Sequence, residues 1–167
     1  MAQLHSSNDV AQFLQPKIEI IVEEILNGIS EWNEKEIDRV VYKKYTPEKY
    51  QRTYEFRDNG WDSHITNSST KEVEGTFEYN PDNIPTVTNG VHAGMYSGVD
   101  IRPYLADIIY NGLAGDLFGQ GFWTDSRDAW KELKRIVGGV KLKTWITRGA
   151  KKAHLKVTDI HINSVFK

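Results

Sequence analysis

The sequence predicts an α+β fold: a long amphipathic N-terminal helix, a small antiparallel sheet packed against helices, and one long loop or arm. Three observations predict it. Ile18, Ile21, Val22, Ile25, Leu26 and Ile29 recur at the three-and-four spacing of a buried helical stripe, while Glu19, Glu23 and Glu24 fall off it. Val73, Gly75, Phe77 and Tyr79 alternate with Glu72, Glu74, Thr76 and Glu78, the period of a strand with one wet face. Residues 82–102 carry Pro85, Gly90, Gly94 and Gly98 and follow neither period. Stretches of ~20 residues without structure are unusual inside a compact domain, so an arm, an insertion or a segment ordered by a neighbouring subunit is expected there. The 167 residues suffice for a single domain spanning 1–167.

The elements follow in order. Asn8 is expected to cap a short helical start carrying Val10, Phe13 and Leu14. Pro16 interrupts that start and opens the main helix, because proline suits a first turn better than a helix interior. Gly28 weakens the end of the main helix, and the polar stretch through Asn33 predicts a break near Trp32. A second helical pattern turns Ile37, Val40, Val41 and Tyr45 inward, and Thr46-Pro47-Glu48 starts a short helix or turn carrying Tyr50, Tyr54 and Phe56. Asp58-Asn59-Gly60 ends it, and residues 61–71 read as a polar loop before the strand that stops at Asn80-Pro81-Asp82. Pro103 opens a helix through Leu105, Ile108 and Ile109. Thr124-Asp125 caps another through Trp130, Leu133, Ile136 and Val137. Residues 140–153 fit a helix through Leu142, Trp145, Ile146 and Ala150 better than a strand. Leu155, Val157, Ile160 and Ile162 alternate as a closing strand.

Composition removes several classes of protein. The chain has no cysteine, so disulfides, thiolate metal sites, iron–sulfur clusters and cysteine nucleophiles are all excluded. Aromatic residues make up 11 %, far from the aromatic-poor composition of disordered chains. The first residues lack the basic-then-apolar pattern of a secretory signal, and no apolar run approaches the ~20 residues of a membrane span. A soluble protein without a membrane partner is expected.

Reactive motifs are absent. His5, His64, His92, His154 and His161 show no His-Glu-x-x-His spacing, so no metal site is expected, although His154, His161 and Asp159 share an edge if that end is a strand. Gly115, Gly119 and Gly121 punctuate a loop, but no Lys-Ser/Thr pair follows as a phosphate loop requires. No Gly-x-Ser-x-Gly elbow occurs, and Glu72, Glu74 and Glu78 read as solvated strand-edge residues. Neither an enzyme nor a cofactor is expected.

Charge is the more informative feature. Residues 1–80 carry a net −6, residues 81–130 a net −4 and residues 131–167 a net +8. Lys141, Lys143, Arg148, Lys151 and Lys152 are the candidate basic surface. Such a surface suits nucleic-acid phosphates, the acidic face of a second subunit, or plain solvation. Tyr96, Phe118, Phe122 and Trp123 stand beside glycines in the expected loops and are candidate contacts for a neighbour.

One stretch carries a resemblance: Val41-Tyr42-Lys43-Lys44-Tyr45-Thr46-Pro47-Glu48-Lys49-Tyr50-Gln51-Arg52-Thr53-Tyr54-Glu55-Phe56. Behind a long amphipathic helix, it resembles a signature of minor structural proteins of long-tailed bacteriophages, variously called neck, tail-component or tail-completion proteins. The resemblance implies a non-enzymatic virion subunit of the head–tail connector, neck or tail-completion complex. Such subunits form homo-oligomeric rings of six or twelve copies around the DNA channel. Implied partners are neighbouring neck, portal or tail proteins, with non-specific contact to packaged DNA, and assembly takes place in the host cytoplasm. Two other classes stay open from the residues alone. The histidines and basic end also fit a small nucleic-acid-processing enzyme, and the basic end alone fits a DNA-binding accessory protein.

Overall fold

The computed structural model describes residues 6–43, 53–85, 100, 102–106 and 140–158. Helix α1 spans Ser7–Ile37, 31 residues, and so runs about 46 Å at 1.5 Å per residue. Its start is a reciprocal cap: Ser6 Oγ accepts from the Asp9 amide at 3.1 Å, and Asp9 Oδ2 accepts from the Ser6 amide at 3.0 Å. Asn8 therefore sits inside the helix rather than capping it. Pro16 does not interrupt α1 either. The carbonyl that a proline leaves without a helical donor is that of Gln12, and both residues lie on the exposed side, within reach of solvent. The expected break near Trp32 is absent too, because Trp32 and Asn33 are buried and hold the last turns in place. In place of a second helix, α1 continues into a π-helical turn, Asp38–Tyr42, closed by the Lys43 amide on Asp38 O at 2.8 Å. The short helix α2 covers Glu55–Asp58 and ends at Asn59, as the breaker sequence predicts.

The residues expected to form a polar loop after it are instead strand β1, Trp61–Ser68, paired with β2, Val73–Tyr79, in a two-stranded antiparallel sheet. Only Ile65 supplies an aliphatic side chain in β1, so the hydrophobic alternation that marks β2 is missing from its partner. The tight connection supplies the register. The Ser69 amide donates to Glu72 O at 2.8 Å, and Ser69 Oγ accepts from the Lys71 and Glu72 amides.

Helix α3 spans Val140–Lys152, in agreement with the helical reading of that segment. The expected closing strand is not present at residues 155–158. His154 adopts φ 56°, Leu155 donates its amide to Ala150 O at 2.8 Å and His154 donates to Lys151 O at 3.2 Å, the paired bonds that close a helix in a Schellman turn. The remainder of that strand expectation, and the helices expected near Ile108 and after Thr124, lie outside the described residues. Near Pro103 a 3-10 turn, Arg102–Tyr104, leads into the helical residues Leu105 and Ala106, in line with the helix expected from Pro103 as far as the described residues go. Of the expected arm at 82–102, residues 82–85, 100 and 102 are described. Arg102 Nη1 donates to Ile84 O at 2.8 Å and Tyr79 Oη donates to Arg102 O at 2.6 Å, so both stems are tied together.

The architecture is thus α+β, and the chain divides into two compact units. One holds residues 1–31, 63–77 and 134–167, with Leu26, Leu142, Trp145, Ala150 and Ala153 buried in it. The other holds residues 32–62 and 78–133, where Ile37, Phe56 and Ile84 form a core flanked by Val41, Tyr42, Trp61, Tyr79, Leu105 and Ala106. Phe56, Trp61 and Tyr79 meet in pairs at ring distances of 5.6–5.7 Å, edge-on or tilted.

Candidate functional site

The candidate basic residues sit on α3, and the packing of that helix decides which way each one points. Leu142, Trp145, Gly149, Ala150 and Ala153 form its buried stripe. The approach to α1 is close. A Cβ added at Gly149 would lie 2.7 Å from Ile21 Cα, and one added at Gly28 would lie 2.5 Å from Trp145 Cδ2. Gly28 is therefore where the indole seats, not the weak point that its helix propensity predicts. Contacts run from Trp145 at Gly28 to Ala153 O, which accepts from Lys17 Nζ at 2.7 Å, so the two helices pass antiparallel. The lysine also satisfies a carbonyl that the end of α3 leaves open. Across from α3, β2 lies against the same helix, with the Gly75 Cβ direction meeting Val22 Cγ1 at 2.8 Å and Leu26 Cδ1 at 2.9 Å.

At 3.6 residues per turn the five candidates fall into two columns. Lys141, Arg148 and Lys152 flank the buried stripe on the α1 side. Arg148 Nε reaches Glu24 Oε1 at 2.5 Å and Lys152 Nζ bonds Glu24 Oε2, while the Glu24 side chain is only 6 % exposed. The Lys152 bond, then the Arg148 and Lys152 charges, hold the Glu24 carboxyl below its ordinary range against the opposing effect of burial. Arg148 and Lys152 thus serve the fold. Lys143 and Lys151 form the second column, with Thr147 between them, on the side turned away from α1. Thr147 Oγ1 donates back to Lys143 O at 2.8 Å, so its hydroxyl is held against its own helix. Lys141, Lys143 and Lys151 are exposed and meet no carboxylate among the described residues.

Sequence reasoning missed two features of this region. Glu24 looked like one of three solvent-facing acids, yet it is buried. Its spacing from Ile21 and Gly28 was the available signal, since both of those positions face α3. The other is an acidic column on α1, Glu23, Asn27 and Glu31, all exposed and at four-residue intervals. Tyr96, Phe118, Phe122 and Trp123 lie outside the described residues, as do His5, His92 and His161. His64 is exposed on β1, and His154 is taken up in the turn that ends α3.

The described ends of the tyrosine-rich stretch, residues 41–43 and 53–56, meet at a corner. Tyr42 and Tyr54 rings meet at 4.7 Å, and the Arg57 guanidinium lies over both, at 5.7 and 4.8 Å. Arg57 Nη1 bonds Asp38 Oδ1 at 3.0 Å and Lys43 Nζ bonds Asp38 Oδ2 at 2.6 Å, so the corner is tied to the end of α1. Lys43 first, and Arg57 with it, hold the Asp38 carboxyl below its usual value. Tyr54 takes a left-handed conformation, φ 60°, to enter α2. Residues 44–52 of the stretch lie outside the described residues.

Among the described residues no group of three or more His, Asp or Glu side chains is placed to hold a metal ion. No described helix is long and apolar enough to cross a membrane. A family model described as YomN matches residues 6–138, a span that includes α1, the tyrosine-rich corner and the sheet and stops just short of α3. The name is of a Bacillus phage type, which makes the chain phage-related. No curated protein and no solved structure matches it.

Proposed function

The chain belongs to the YomN family, and from that premise we propose that it is a virion structural protein: a ring-forming subunit of the neck or tail-completion complex. In this reading it works by assembling around the DNA channel and performs no reaction. The observation that carries the reading is one of position. The stretch Val41 to Phe56, similar to neck and tail-completion proteins, lies wholly inside the span that matches the phage-related family. The geometry of Tyr42, Tyr54 and Arg57 supports it, because residues stacked on one another and tied to Asp38 shape a surface instead of offering a free nucleophile or base. A ring subunit also needs two unlike lateral faces, since a heterologous contact repeated around an axis closes a ring. Exposed acids on α1 and exposed lysines on α3 supply unlike faces.

The experiment is a composition measurement on purified particles of the phage that encodes the chain, with heads, necks and tails separated. The protein is expected in the neck or upper-tail fraction in a fixed ratio to the portal. Phage lacking it are expected to accumulate filled heads and unattached or incomplete tails. Complete, infectious particles that contain none of it would overturn the reading.

A further inference from the structure

We infer that copies of this chain dock head to tail, with Lys143 and Lys151 of one subunit seated on Glu23 and Glu31 of the next. The inference rests on the assembly reading and names its contact. All four residues belong to one compact unit, and all four are exposed. Glu23 and Glu31 are eight residues apart on α1, and Lys143 and Lys151 are eight residues apart on α3. Each pair of charges therefore repeats at about 12 Å along its own helix. A small polar residue stands midway in each column, Asn27 in one and Thr147 in the other, so neither column carries a bulky or like-charged obstacle at its centre. Rows at four-residue spacing lean across a helix, so two helices crossed at about 50°, the angle at which such rows align, would bring both oppositely charged pairs together in a single register.

The pairing cannot be made within one subunit. Trp145 and Gly149 turn the opposite side of α3 toward α1, which leaves the Lys143–Lys151 column facing outward. Glu24, the buried acid of α1 that faces α3, is already taken by Arg148 and Lys152. Because the two columns are different surfaces, the contact is heterologous: each copy offers one face to each neighbour, and the chain of contacts closes or propagates. Exposed ion pairs add little affinity each, so their work here is to select the partner and set the register, with opposite charge at the contact and like charge penalised.

The test is a charge exchange in the full-length chain. Lys143→Glu with Lys151→Glu gives one variant, Glu23→Lys with Glu31→Lys a second, and all four changes a third. Association is followed by sedimentation at rising protein concentration and at low and high salt, with circular dichroism to verify folding of each variant. Each two-site variant alone is expected to need about tenfold more protein to associate than the unaltered chain. An equimolar mixture of the two, and the four-site variant alone, are expected to recover association. Two-site variants that assemble normally, or a four-site variant that stays as weak as they are, would overturn the inference. So would loss of duplex DNA binding in the Lys143/Lys151 variant with its assembly unchanged, which would assign the lysines to phosphates. The two claims fail separately. Reciprocal rescue by a chain absent from particles removes the neck reading alone, whereas normal incorporation of both two-site variants into particles removes only this contact.

Discussion

At the scale of single residues, Glu24 shows how a charge can be buried without being isolated. Its two cationic partners remain half exposed, so solvent screens them and the net worth of the cluster is modest. The asymmetry yields a prediction. Glu24→Gln frees two cations that can turn to water, and is expected to cost about 1 kcal/mol at neutral pH. Arg148→Met with Lys152→Met strands a buried carboxylate, and is expected to cost about 3 kcal/mol. The pH dependences differ in sign. A carboxyl with a depressed folded value gives stability that is present above its ordinary range and is lost as pH falls through the folded value. The unaltered chain should therefore weaken on acidification below about pH 4.5, the ordinary glutamate value. Glu24→Gln should lose the Glu24 share of that dependence and keep the share of Asp38. The double methionine variant should instead recover part of its deficit above that window, as pH falls towards 4.5, since burial alone now raises the Glu24 value and protonation removes the stranded charge. Denaturant melts across the acid range measure all three.

At the scale of elements, the seat of α3 on α1 depends on two positions without side chains. Gly149→Ala would improve helix propensity by about 1 kcal/mol in isolation. The added methyl would meet Ile21 Cα at 2.7 Å, a backbone atom that cannot rotate aside. Overpacking is expected to win, for a net loss of about 1–3 kcal/mol read from the unfolding midpoint. A melting temperature equal to or above that of the unaltered chain would show that the helices separate at no cost.

The same elements show how far a single sequence can be read. The stripe from Ile21 to Ile29, the alternation of β2 and the helix at 140–152 were all legible, because each buries one regular face and writes that period into the chain. Strand β1 was not, because its Ser, Thr, Asn and His side chains are stabilised by pairing with β2 rather than by burial of their own. Pro16 and Gly28 misled for a related reason. Propensity describes an isolated helix, and here solvent beside Gln12 and the Trp145 ring beside Gly28 decide the outcome. The candidate site was half legible. Counting charges found the basic helix, but dividing it into Arg148 and Lys152, which hold the fold, and Lys143 and Lys151, which face outward, requires knowing where Glu24 points.

At the scale of the whole molecule, segregation of charge along the chain becomes segregation between helices. The chain as a whole is nearly neutral, at −2, yet the acids of α1 and the lysines of α3 make two of its surfaces unlike. Neutral chains with opposed faces have a reason to find copies of themselves, and the long-range part of that attraction weakens as salt rises. The absence of cysteine means that such an assembly relies on non-covalent contacts. The most direct test is the mass of the unaltered full-length protein, measured by sedimentation and native mass spectrometry over a wide range of concentration. The account predicts a concentration-dependent passage from single subunits to one closed ring of defined copy number, favoured at low salt. A chain that stays monomeric at every concentration and salt, alone and with the proteins of its own particle, would contradict it.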